Sequence, residues 1–201
     1  MKANLIVVVG LLFATFSVVA QEDDLSSKFE LVSADIVTGK GYLSGGYALS
    51  FAFRSEKALT LITLREDKVF INHLYPLMNK KFSLGPSTGH FCNVPFAGAI
   101  AKFSPWKAIE TLHWTVYSFG LPNEAVNINP SFLFLINTAT LKVCDFKAYY
   151  ASVVFMKNAM KHVVGLSYEL KMTNHFAAYT NVGYDLTNKE QLLQVGVVWR
   201  K

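Results

Sequence analysis

Val164-Gly165-Leu166-Ser167-Tyr168-Glu169-Leu170-Lys171-Met172 sets bulky apolar side chains on one face of an extended strand and small or polar ones on the other. That period of two is the signature of a strand with two different environments. From Ser44 to Phe53 the chain repeats it, with Tyr47, Leu49, Phe51 and Phe53 against Ser44, Gly46, Ala48, Ser50 and Ala52. Near the end, Leu193, Val195, Val197 and Trp199 alternate with Gln194, Gly196, Val198 and Arg200. The composition is 52% hydrophobic, yet after the first twenty residues no long apolar run appears. Runs of this length exceed the usual soluble strand of about 5–6 residues and match the roughly 9–11 that a tilted strand needs to cross a bilayer.

Turn signals divide the chain at short intervals: Thr38-Gly39-Lys40-Gly41, Arg54-Ser55-Glu56-Lys57, Arg65-Glu66-Asp67-Lys68, Pro86-Ser87-Thr88-Gly89, Thr173-Asn174 and Thr187-Asn188-Lys189-Glu190. The pattern predicts strands near 28–37, 42–54, 57–65, 68–75, 81–86, 92–103, 108–119, 131–143, 146–156, 161–172, 175–186 and 191–200. Twelve is the expected number, or ten if the pieces around 68–86 are loop. The fold class is all-β, a closed antiparallel up-and-down transmembrane β-barrel of 10–12 strands. Leu121 to Pro130 is the longest link and is assigned to the extracellular side. Aromatics at strand ends, among them Phe103, Trp106, Phe119, Phe132, Phe146, Phe155, Phe176, Tyr184 and Trp199, predict two interfacial belts. Pro95 is a misfit inside 92–103, because proline cannot donate to a ladder.

Residues 1–20 read as a signal peptide: Lys2, the apolar core Leu5 to Ala14, then Val18-Val19-Ala20 before Gln21. Residues 21–201 form a single domain. Loss of Lys2 lowers the formal charge from +5 to +4, and the Lys and Arg residues are scattered, which argues against a nucleic-acid partner. Cys92 and Cys144 are too few for a disulfide scaffold, and lack metal-ligand spacing; a single bridge between them and two unpaired thiols both stay open.

The leader, the alternating strands and the final Gly196-Val197-Val198-Trp199-Arg200-Lys201 together resemble a small Gram-negative outer-membrane β-barrel protein. The resemblance implies an outer-membrane location, lipid as surroundings, and recognition of the last strand by the barrel assembly machinery. In that class the chain usually ends in an aromatic, whereas this one ends in Lys201 with Trp199 nearest. Barrel enzymes of the class that act on lipid A or lipopolysaccharide pair a His with a Ser. Here His90 precedes Phe91-Cys92 and His113 precedes Trp114-Thr115, so no catalytic residue, metal or cofactor is assigned.

The expected function is a narrow channel or small-solute binding barrel without turnover. The lumen candidates are Thr111, His113 and Tyr117, placed with Thr115 on the polar face of one strand, together with Ser167, Glu169, Lys171, Asn181 and Asp185. Small inward residues such as Gly46, Ala48, Ser50, Ala52, Gly165 and Ser167 suggest a wet lumen, unless Tyr117, Tyr179 and His113 cross it. Mild cation preference is expected only if Glu169 and Asp185 are not neutralised by Lys171 and Arg200. Two alternatives remain: a lipid-modifying barrel enzyme, and a secreted soluble barrel with its oily faces inward around an apolar ligand.

Overall fold

The computed structural model describes residues 29–41, 45–77, 81–91, 94–118, 134–155 and 160–201. The leader and the 121–130 link lie outside them. Twelve strands follow in order: β1 Glu30–Lys40, β2 Tyr47–Arg54, β3 Leu59–Arg65, β4 Lys68–Leu77, β5 Phe82–Phe91, β6 Val94–Trp106, β7 Ile109–Ser118, β8 Phe134–Val143, β9 Phe146–Phe155, β10 Lys161–Lys171, β11 Phe176–Asp185 and β12 Glu190–Arg200. Each pairs antiparallel with its neighbours in sequence, and β1 pairs with β12 to close the barrel. An 11-residue strand rises about 37 Å, or about 28 Å along an axis tilted by 40°, which matches the roughly 25 Å apolar band of an outer-membrane barrel. No helix among the described residues is long and apolar enough to cross a membrane.

Two turn readings are corrected. Gly39 and Lys40 belong to β1, where they pair with Gln194 and Leu193. Pro86 to Gly89 lies within β5, paired on both sides with β4 and β6. Pro95 is the second residue of β6, near a strand start, where a missing donor is tolerated.

Links after β2, β4, β6, β8 and β10, together with both ends of the described chain, define a turn end. The other links define a loop end. Exposed aromatics gather at both. Phe103, Trp106, Phe146 and Phe176 mark the turn end, with Phe146 against Tyr168 at 4.9 Å, while Tyr47, Tyr117 and Tyr184 mark the loop end. The seam between β1 and β12 is tied at its two ends by ion pairs, Lys40 to Glu190 at 2.8 Å and Lys201 to Glu30.

Candidate functional site: the barrel interior and its turn-end mouth

Paired residues share a face, so the register carries inward and outward parity around the ring. In β10 and β11 it is plain. Leu166, Leu170 and Val182 are exposed on the outside, whereas Val163 and Ala177 are buried inside. Ser167 and Asn181 are partners on the inner face; so are Glu169 and Tyr179, with Lys171 at the end of the same row.

The chain through β6, β7 and β8 gives a different answer from the sequence. Ile100 pairs with Trp114, and Trp114 with Ile136, all three buried. Leu112, Trp114 and Val116 therefore point inward, and Thr111, His113, Thr115 and Tyr117 point outward. Three of the lumen candidates, Thr111, His113 and Tyr117, are on the outer wall. Here the interior is apolar, so the polar residues of β7 mark the outside.

That apolar half is a packed core. Phe70, Leu74, Phe91, Val94, Phe96, Ile100, Trp114, Val116, Ile136 and Val153 form one cluster along the inner faces of β4 to β9. Trp114 meets Phe70 edge-on at 5.2 Å and donates from Nε1 to Ser87 Oγ at 2.7 Å.

The other half carries the small inward residues, and tyrosines rest on them. A Cβ added to Gly165 would lie 2.4 Å from Cζ of Tyr149, its cross-strand partner. One added to Gly196 would lie 2.5 Å from Cζ of Tyr179, also its partner. Glycine seats an aromatic ring across the ladder. Of the three side chains named as the exception to a wet lumen, Tyr179 points inward, and the second crossing ring is Tyr149 rather than Tyr117 or His113. Tyr179 Oη donates to both carboxylate oxygens of Asp35, each at 2.9 Å. Tyr179→Phe leaves a half-buried acid short of its donor and is expected to cost about 1–3 kcal/mol; urea unfolding in lipid vesicles measures it.

At the turn end the inner face becomes charged. Arg200 grips Glu169 with two nitrogens, at 2.5 and 2.8 Å, and Lys147 lies 3.8 Å from the same carboxylate. Lys102 meets Glu110 at 2.6 Å. Lys142 pairs directly with Lys147. Like charges directly opposite on one face of a ladder repel, a local cost that stability alone does not explain. Counting Lys171, five cations and the two carboxylates Glu169 and Glu110 share the inner parity of β6 to β10 and β12 at this end, and on the adjoining β1 Asp35 also faces inward within the field of Arg200. Asp185 sits at the opposite end and caps its own turn, accepting from Thr187 N, Asn188 N and Asn188 Nδ2. No signal in the sequence brought Lys102, Lys142 and Lys147 together, because only the register does so.

Cys144 is a free, exposed thiol in the β8–β9 turn, and Cys92 lies outside the described residues. No group of three or more potential metal ligands occurs among the described residues. Ser152 takes its hydrogen bond from Asn137, while the His162 ring bonds the Tyr150 hydroxyl.

No protein-family model matches the sequence, and no curated protein matches it significantly. Solved structures do match. A KdgM porin in complex with disordered oligogalacturonate aligns at TM-score 0.54 and 10% identity, covering 85% of this chain and 99% of that one. The NanC porin aligns at TM-score 0.54 and 10% identity over 85% of this chain and 100% of that one. At such identity the likeness concerns the backbone. The chain has the closed-barrel fold of outer-membrane porins.

Proposed function

We propose that the protein is an outer-membrane barrel that binds and slowly conducts small anionic solutes. The observation carrying this reading is the excess of cations inside the turn-end mouth, above all the directly opposed Lys142 and Lys147. Their mutual repulsion falls when an anion sits between them. Glu169 is engaged by Arg200 and Lys147, and Asp185 by its own turn, so neither carboxylate is free to favour cations. Because aromatic and aliphatic side chains fill one half of the interior, the passage is narrow and runs along β10 to β2. KdgM in complex with oligogalacturonate makes an acidic oligosaccharide the natural probe. Residues 1–20 direct export and are removed. Lipid surrounds the outer wall, and the barrel assembly machinery inserts the chain through its last strand.

The test is selectivity in planar bilayers under a potassium chloride gradient. A reversal potential of anion-selective sign is expected, moving toward the cation side in Lys142→Glu/Lys147→Glu. Oligogalacturonate is expected to reduce the current in the native protein and not in the variant. A cation-selective native barrel, or one whose selectivity the double variant leaves unmoved, overturns the proposal.

A further inference from the structure

The outer wall carries a polar row that neither the channel nor the packed interior uses. His113, Asn137, Ser152 and His162 are successive register partners on β7, β8, β9 and β10. The His113 Nδ1 is 2.7 Å from Asn137 Oδ1, Asn137 Nδ2 donates to Ser152 Oγ at 3.4 Å, and His162 Nδ1 is 2.7 Å from the Tyr150 hydroxyl. Around the row stand the short Thr111 and Thr115 on β7, Ala139 on β8 and Ala148 on β9, beside the exposed Tyr117, Leu141 and Tyr150. Elsewhere the wall is oily and open, with Ile36, Leu166, Val182, Leu193 and Val195 about half exposed.

Depth decides what faces this row. His113 is the fifth of ten residues in β7 and Asn137 the fourth of ten in β8, so both lie near mid-barrel, away from either aromatic belt. Acyl chains at that depth offer no hydrogen-bond partner, and polar groups there are costly unless met by another polar group. Lipid headgroups reach only the His162 end. A protein wall of the same kind meets the remaining donors and acceptors of the row along its whole length, with Tyr117 and Tyr150 flanking the contact.

We infer that the β7–β9 wall is an interface between two copies of this chain in the membrane, related by a two-fold axis that brings the polar rows together. Each row holds donors and acceptors in the imidazole, amide and hydroxyl groups, as a self-complementary contact requires. The surface is distinct from the turn-end mouth, so the contact stands or falls independently of anion conduction.

The experiment uses the full chain in lipid membranes with Cys92→Ser and Cys144→Ser as background. Ala139→Cys is expected to give a disulfide-linked dimer on oxidation, while Leu193→Cys in the oily sector gives none. In detergent sedimentation, His113→Leu/Asn137→Leu is expected to weaken association about tenfold while keeping heat-modifiable mobility as proof of folding. A monomeric native protein, equal cross-linking at both positions, or association unchanged by the double variant overturns the inference. So does a monomer that retains a tightly bound lipid lost on His113→Leu/Asn137→Leu, because lipid is then the occupant.

Discussion

Trp114→Ala is expected to lower stability by about 3–5 kcal/mol, the usual range for deleting a buried indole, and at the same time to raise conductance. The ring is 8% exposed and sits midway along β7, within the apolar cluster that spans β4 to β9. Removing it takes away an edge contact to Phe70 and deprives the fully buried Ser87 of a hydrogen-bond donor. Neighbours anchored on a closed ladder relax little, so the vacated volume persists and the passage widens. Denaturant unfolding in vesicles and single-channel recording on the same preparation read both effects. A less stable barrel with unchanged current would mean that the indole does not bound the conducting path.

Gly85→Ala should prevent barrel assembly. A Cβ at that position would stand 1.7 Å from the carbonyl oxygen of His73 and 2.7 Å from its carbon. The obstacle is backbone, and moving it breaks the β4–β5 ladder next to Pro86, which already lacks a donor. The cost is expected to exceed the about 1–3 kcal/mol of ordinary overpacking. Gly45→Ala is the control, since an added Cβ there meets nothing within 4 Å. Loss of heat-modifiable migration in the first variant and its retention in the second is the expected pair of results.

The same stretch shows where sequence reading reached its limit. Gly85-Pro86-Ser87-Thr88-Gly89 has the composition of a turn and is nevertheless a strand, because its glycines serve close approach to β4 and their partners across the ladder could not be read from composition. On β10, β11 and β12 alternation separates an oily face from a small polar one, and the exposure of Leu166, Val182 and Leu193 decides between the membrane barrel and the soluble carrier with oily faces inward. On β7 both faces could be argued. Trp114 and Val116 look as suited to lipid as to a core, and His113 with Thr115 as suited to a lumen as to an interface. Only the pairing of Trp114 with buried Ile100 and Ile136 settles the sense. Five of the eight lumen candidates, Ser167, Glu169, Lys171, Asn181 and Asp185, come from strands whose alternation was unambiguous, and the three on β7 are those it misplaced. The cationic mouth was illegible for another reason, since its lysines come from β6, β8, β9 and β10 and meet only after registration.

Closure of β1 on β12 has a kinetic consequence. Every other pairing joins neighbours in sequence, so eleven hairpin contacts form over short loops, each closing at an entropic cost of about 2 kcal/mol for some ten residues. The seam joins Lys40 to Glu190 across 150 positions, and the same relation gives about 4 kcal/mol for that one event. The slow step of folding is then ring completion rather than strand formation, and the species that accumulates before it is a curled sheet with β1 and β12 as naked edges. Such a sheet is prone to pair with any other exposed strand, including its own kind. The ion pairs at both ends of the seam form with it and, together with the Tyr179–Asp35 hydrogen bond that reaches across β12, hold its register.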